Sequence, residues 1–191
     1  GNPSQDVLQS IISLNSQGQL LEALKRSSQL LKKYPNSGAL YKIQASANVG
    51  LGLLDPAIKS YKAASILEPN SAEIYYNLGV ILQNQAKLRE AVDSYGKAVS
   101  IDPSHADAFY NMGNALQMQG KAAEALESYN KAIVLKSDFS EAYYNMGNVL
   151  KGIRFNKPNR GMHEIITRLL NHKNYVSPRE ISLAAISLLK F

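Results

Sequence analysis

The chain has 191 residues, 45% of them hydrophobic, which is enough for a sizeable core, and it contains no long apolar run of the kind a membrane helix needs. It has no cysteine, which excludes disulfides and thiol chemistry. The net charge of +6 arises near the end: residues 1–150 carry 13 basic and 13 acidic side chains, residues 151–191 carry 8 and 2, and these basic residues are scattered with no aromatic platform between them, which disfavours nucleic acid as a partner.

Pro35, Pro69, Pro103 and Ser137 recur at intervals of 34 residues, so the chain reads as units beginning at Ser4, Gly38, Ala72, Ala106 and Ser140. Each unit divides into two short helices, A and B. Helix A is expected to start after Asn36, Asn70, Ser104 and Asp138, whose side chains can accept a hydrogen bond from a free amide. Glu73, Asp107 and Glu141 follow the last three of these at a capping-box-like spacing and put negative charge in the first turn.

In the first unit, residues 4–37, helix A ends at Gly18 and helix B carries Ala23, Ser27 and Leu30. In the second, residues 38–71, Gly52 ends helix A, and Asp55-Pro56 predicts an N-cap followed by a first-turn proline. In the third, residues 72–105, Ala86 stands where the others have glycine, so this turn is expected to be strained or differently shaped. The fourth, residues 106–139, restores glycine at Gly120. Across the units, Val7, Tyr41, Tyr75, Phe109 and Tyr143 recur at one position and Tyr61, Tyr95 and Tyr129 at another, a spacing that assigns these aromatics to the core. Gly79 and Gly113 are expected to face Ala91 and Ala125 where the paired helices cross.

The fifth unit begins with Tyr143, Asn145, Met146, Gly147 and Leu150 and then departs from the pattern. Residues 140–157 read as its helix A with a connector, and residues 158–191 as two divergent C-terminal helices. The first bears the stripe Met162, Ile165, Ile166, Leu169 and Leu170. The second, introduced by Ser177-Pro178-Arg179-Glu180, adds Leu183, Ile186 and Phe191 beyond its main stripe. Such a helix either tucks under the fifth unit or covers a junction, docking a further domain or pairing with another copy in a homo-oligomer. Beginning at Gly1 and ending at Phe191, the sequence is expected to be part of a longer protein.

The stretch from Tyr75 to Pro103, YYNLGVILQNQAKLREAVDSYGKAVSIDP, resembles the tetratricopeptide repeat almost letter for letter, and the motifs extend over roughly residues 4–152. The resemblance implies an all-α fold, a right-handed α-solenoid of helix-turn-helix repeats whose A helices line the inner surface. On that surface it places rows of asparagine, Asn77, Asn111 and Asn145 with Asn114 and Asn148, beside Lys42, Tyr76, Tyr110 and Tyr144. An asparagine amide offers both a donor and an acceptor, so a row can hold a peptide backbone with little regard for its side chains. The same asparagines can instead bond between neighbouring helices and stabilise the array.

Asn77-Leu78-Gly79, Asn111-Met112-Gly113-Asn114 and Asn145-Met146-Gly147-Asn148 are similar to the arm of O-linked N-acetylglucosamine transferases and their bacterial relatives. In that family an inner asparagine ladder selects protein substrates for a separate catalytic domain. Resemblance to chaperone-tail-binding repeats is weaker, since Leu8 and Ile12 occupy the places of the Lys and Asn of their carboxylate clamp, and Lys42 with Ser46 is a partial substitute. The expected partner is a protein or extended peptide, in the cytoplasm, with no membrane association.

No catalytic, metal or cofactor site is expected. His105, His163 and His172 have no cysteine to complete a zinc site, and His163-Glu164 lacks the second histidine of a zinc-protease helix. Gly50-x-Gly52-x-x-Asp55 lacks the third glycine and the preceding strand of a dinucleotide loop.

Overall fold

The computed structural model describes residues 1–151, 153 and 160–171. Among the described residues there are ten α-helices and no strand. The chain divides into two compact units, Gly1–Pro103 and Ser104–Phe191.

The first unit holds α1 (Gln5–Ser16), α2 (Leu20–Lys33), α3 (Gly38–Gly50), α4 (Leu54–Leu67), α5 (Ala72–Asn84) and α6 (Leu88–Ile101). Each odd helix packs on the even helix after it, and α2 and α4 pack in turn on α3 and α5. Ile11, Ala23, Leu40, Ile43 and Ala47 form one core cluster, closed by Leu8, Leu14, Leu24, Leu30, Leu31 and Tyr34. The second unit holds α7 (Ala106–Met118), α8 (Ala122–Leu135), α9 (Ser140–Lys151) and α10 (Arg160–Asn171). There α8 packs against both α7 and α9. Met162, Ile165, Ile166 and Leu169 of the stripe expected after the connector are buried on α10.

Four A helices end in the same way. Gly18, Gly52 and Gly120 take φ of 77°, 73° and 75°, and Ala86 takes 56°. At each, the residue after the left-handed one donates to the carbonyl five residues back: Gln19 to Leu14, Leu53 to Asn48, Lys87 to Leu82 and Lys121 to Leu116, at 2.8–2.9 Å. The left-handed residue itself donates to the carbonyl three residues back, and together the two bonds satisfy carbonyls the helix end would leave open. The turn at Ala86 therefore keeps the shape of the others and holds a side chain in a conformation that favours glycine.

Helix starts differ by one residue from the expected ones. The N-caps are Ser37, Ser71 and His105 rather than Asn36, Asn70 and Ser104. The Ser37 hydroxyl accepts from the Leu40 amide at 3.4 Å, and His105 Nδ1 accepts from the Ala108 amide at 3.3 Å. Glu73 and Asp107 are therefore the second residues of their helices, one short of capping-box register, though still where negative charge suits the helix dipole. At α4 the N-cap is Leu53, and Asp55 lies inside the first turn. Pro56 is the third helical residue, where the absent amide still costs no intrahelical bond.

The helix crossings also differ from expectation. A Cβ on Gly79 would sit 2.7 Å from the Tyr95 ring, and one on Gly113 would sit 2.6 Å from the Tyr129 ring. The glycines make room for a tyrosine rather than for the alanine four residues before it.

Candidate functional site

A tyrosine motif repeats once in each unit. The Tyr95 hydroxyl lies 3.0 Å from Gln83 Oε1, and Tyr129 lies 2.7 Å from Gln117 Oε1. Tyr76 tilts against Tyr95 with ring centroids 6.1 Å apart, and Tyr110 against Tyr129 at 6.0 Å. Tyr110 also meets the Phe139 ring at 4.8 Å. Tyr76 and Tyr110, expected on a binding row, are half-buried and pack against the core tyrosines. Tyr144, the next in that row, is 60% exposed.

In the second unit the asparagines form a network. Asn145 Nδ2 donates to Asn114 Oδ1 at 2.9 Å and to the Tyr110 hydroxyl at 3.1 Å, joining α9 to α7. The Tyr129 hydroxyl, 2.7 Å from both Asn114 Oδ1 and Gln117 Oε1, has one proton and serves one of these carbonyls at a time. Asn145 therefore commits both amide protons and Asn114 Oδ1 takes up to two bonds. The Asn114 amide protons and the Asn145 carbonyl are left, one donor and one acceptor, matching the two groups of a peptide unit. Asn111 and Asn148 are half-buried on α7 and α9.

In the first unit an asparagine is coupled to the B helix before it, Asn77 of α5 to Tyr61 of α4. Burial pushes the Tyr61 hydroxyl up to about 12, the nearby Glu73 charge adds to this, and a hydrogen bond with Asn77 partly offsets both. Burial likewise raises Tyr95 and Tyr129.

Two adjoining recesses form a groove across the A helices of the first unit. One, of about 330 Å³, is lined by Leu8, Ile12 and Asn15 of α1, Ala39, Lys42, Ile43 and Ser46 of α3, and Glu73 of α5. The next, of about 290 Å³, is lined by Lys42, Ser46, Val49, Tyr61, Glu73, Asn77, Val80 and Ile81. Asn15 Nδ2 donates to the Ser46 hydroxyl at 2.9 Å, bracing α1 against α3. Lys42 Nζ lies 3.0 Å from Glu68 Oε2. That carboxylate occupies the space a side chain at Gly38 would take. A smaller recess of about 230 Å³ opens elsewhere on this unit, lined by residues that include Lys62, Ser65, Tyr75, Asp93 and Lys97.

The structure thus places Lys42 and Asn77 together in one recess, and Tyr110, Asn114 and Asn145 together in one network. The contribution of Leu8, Ile12, Asn15 and Ile43 was missed by sequence reasoning, which followed the asparagines of the later units. The signal was present as an apolar Leu8 where later units carry Tyr76, Tyr110 and Tyr144, and an apolar Ile12 where the last two carry Asn114 and Asn148. Leu183, Ile186 and Phe191, expected at a junction or oligomer contact, lie outside the described residues. Among the described residues no helix is long and apolar enough to cross a membrane, and no cluster of metal-ligating side chains occurs.

A family model described as TPR repeat matches residues 49–86, 87–120 and 118–152, and one described as Tetratricopeptide repeat matches residues 7–37. None of the curated proteins matches the chain. Among solved structures, MamA superposes with a TM-score of 0.72 at 24% identity, over 93% of this chain and 94% of that one. YrrB, described as a TPR protein with an unusual peptide-binding site, superposes with a TM-score of 0.72 at 16% identity, over 98% and 91%. The first TPR of Spaghetti (RPAP3), bound to the HSP90 peptide SRMEEVD, gives 0.57 at 20% identity, over 59% and 89%. At these identities the likeness is one of fold.

Proposed function

The chain belongs to the tetratricopeptide repeat family, and on that premise we propose that it is a non-catalytic scaffold that binds an extended segment of protein or peptide along its A helices. The observation that carries this reading is the groove of the Gly1–Pro103 unit, whose apolar walls are interrupted by a few convergent polar groups, Lys42, Ser46, Glu73 and Asn77. Such a lining suits a ligand that buries side chains while its backbone needs hydrogen bonds.

In the other unit, the unspent amide protons of Asn114 and carbonyl of Asn145 support a second set of backbone contacts, with Asn111, Asn148 and the exposed ring of Tyr144 beside them. The hydrogen-bond network holds the two asparagines in place, so a ligand pays little entropy to order them. Structural and ligand-binding roles are compatible in these residues. The YrrB structure, described with a peptide-binding site, and the RPAP3 structure, described with a bound peptide, are in keeping with the proposal. The similarity of the asparagine rows to transferase arms supports a place as the substrate- or partner-recognition arm of a larger protein.

A random peptide library, displayed and selected against the full chain, tests the reading. Selected peptides should bind the wild type, and a variant combining Asn77→Ala, Asn111→Ala and Asn145→Ala should bind them more weakly while keeping its helical circular dichroism. Equal binding by the folded variant removes the asparagine contacts, and a wild type that enriches no peptide contradicts the function.

A further inference from the structure

Building on the peptide-binding reading, we propose that the groove of the Gly1–Pro103 unit selects a polyproline II segment bearing two apolar side chains three residues apart with a lysine or arginine between them. The first recess has apolar walls from Leu8, Ile12 and Ile43, and the second from Val49, Val80 and Ile81. Each can take one apolar side chain.

Spacing fixes the backbone form. One recess lies between α1 and α3 and the other between α3 and α5, so they flank α3 and are separated by about the width of one helix with its side chains, roughly 10 Å. A β-strand returns a side chain to the same face every second residue, about 6.7 Å, which is too short for this separation. Polyproline II returns to the same face every third residue, about 9.3 Å, which matches it. That conformation is also largely formed before binding, so little ordering entropy is lost.

Charge fixes the residue between. Lys42, Ser46 and Glu73 line both recesses and so form the ridge that separates them. The Lys42 charge is balanced by Glu68 at 3.0 Å. Glu73 is exposed and makes no ion pair among the described residues. The ridge therefore carries one unbalanced negative charge beneath the part of the ligand that bridges the two apolar anchors. Side chains of that part project to the flanks of a threefold helix, so a long lysine or arginine is needed to reach back to Glu73. A cation there is favoured and a carboxylate opposed.

Fluorescence anisotropy on the full chain tests this with four labelled nonapeptides. The first has leucines three apart with proline and arginine between them in a Gly-Ser surround. The others replace arginine by glutamate, both leucines by serine, or move the leucines to two apart. At low salt the first should bind about fivefold more tightly than the glutamate peptide, and the gap should narrow at high salt. Glu73→Gln should remove most of that gap while leaving the helical signal intact. The serine peptide should lose binding, and the shorter spacing should weaken it. Equal binding of the arginine and glutamate peptides, a gap that survives Glu73→Gln, or tighter binding of the shorter spacing overturns the proposal. If library-selected peptides still bind in those cases, only this selectivity fails. If they do not, the peptide-binding reading fails with it.

Discussion

The side-chain amide of Asn145 donates to the carbonyl of Asn114 across 2.9 Å, tying α9 to α7. A second bond from the same nitrogen reaches the Tyr110 hydroxyl at 3.1 Å. Removing both should cost about 1–2 kcal/mol, the range for hydrogen bonds whose partners remain half-buried. Asn145→Ala is expected to lower the urea midpoint accordingly, with Asn148→Ala nearly silent. Equal midpoints for the two variants would show that the network holds little of the fold.

The close approach of Tyr129 to Gly113 gives a sharper expectation. A methyl placed 2.6 Å from a buried ring forces the helices apart, so Gly113→Ala should destabilise by roughly 1–3 kcal/mol. Gly96→Ala is the control, since nothing lies within 4 Å of its Cβ. There the substitution should stabilise α6 by about 0.5–1 kcal/mol. Thermal unfolding of both variants reads the contrast directly.

Ala86 holds φ at 56° in a turn where its counterparts are glycine. The steric cost of that conformation for an alanine is about 1–2 kcal/mol. Ala86→Gly should recover part of it, less the greater freedom glycine brings to the unfolded chain, and so raise the melting temperature. A fall would show that the turn is not strained.

Much of the fold was legible because the repeat writes each punctuation mark several times. The glycines that end A helices appear in sequence as the only residues suited to the turn, and even the exception at Ala86 could be named. The N-caps were misplaced by one residue because Asn36 and Ser37, Asn70 and Ser71, and Ser104 and His105 are adjacent residues able to cap, and backbone geometry chooses between them. What Gly113 faces was not legible, since a small residue signals close approach without naming the neighbour. The site was legible only in part. The asparagine row was visible at its period, but its bonds to Tyr110 and Tyr129 depend on how far a helix rotates, and the groove at Leu8, Ile12 and Ile43 depends on non-repeating residues.

The buried tyrosines predict an alkaline transition. Tyr61 is held neutral up to about 12 against an ordinary value of 10.0. A raised folded value means that its contribution is complete below pH 10 and is lost as pH rises toward about 12. The rise from 10.0 to about 12 corresponds to about 2–3 kcal/mol. Stability measured by urea unfolding should therefore fall over that window, and Tyr61→Phe should make the fall shallower. A Tyr61→Phe protein with the same slope would show that this hydroxyl titrates normally.

The central claim, that a peptide lies in the groove of the Gly1–Pro103 unit, is tested most directly by amide chemical-shift mapping as a library-selected peptide is added to the full chain. The account predicts that the largest changes in that unit fall on Leu8, Ile12, Lys42, Ser46 and Asn77, with Ser65 and Asp93 at the other recess unmoved. Changes centred on Ser65 and Asp93, with the groove residues silent, would contradict it.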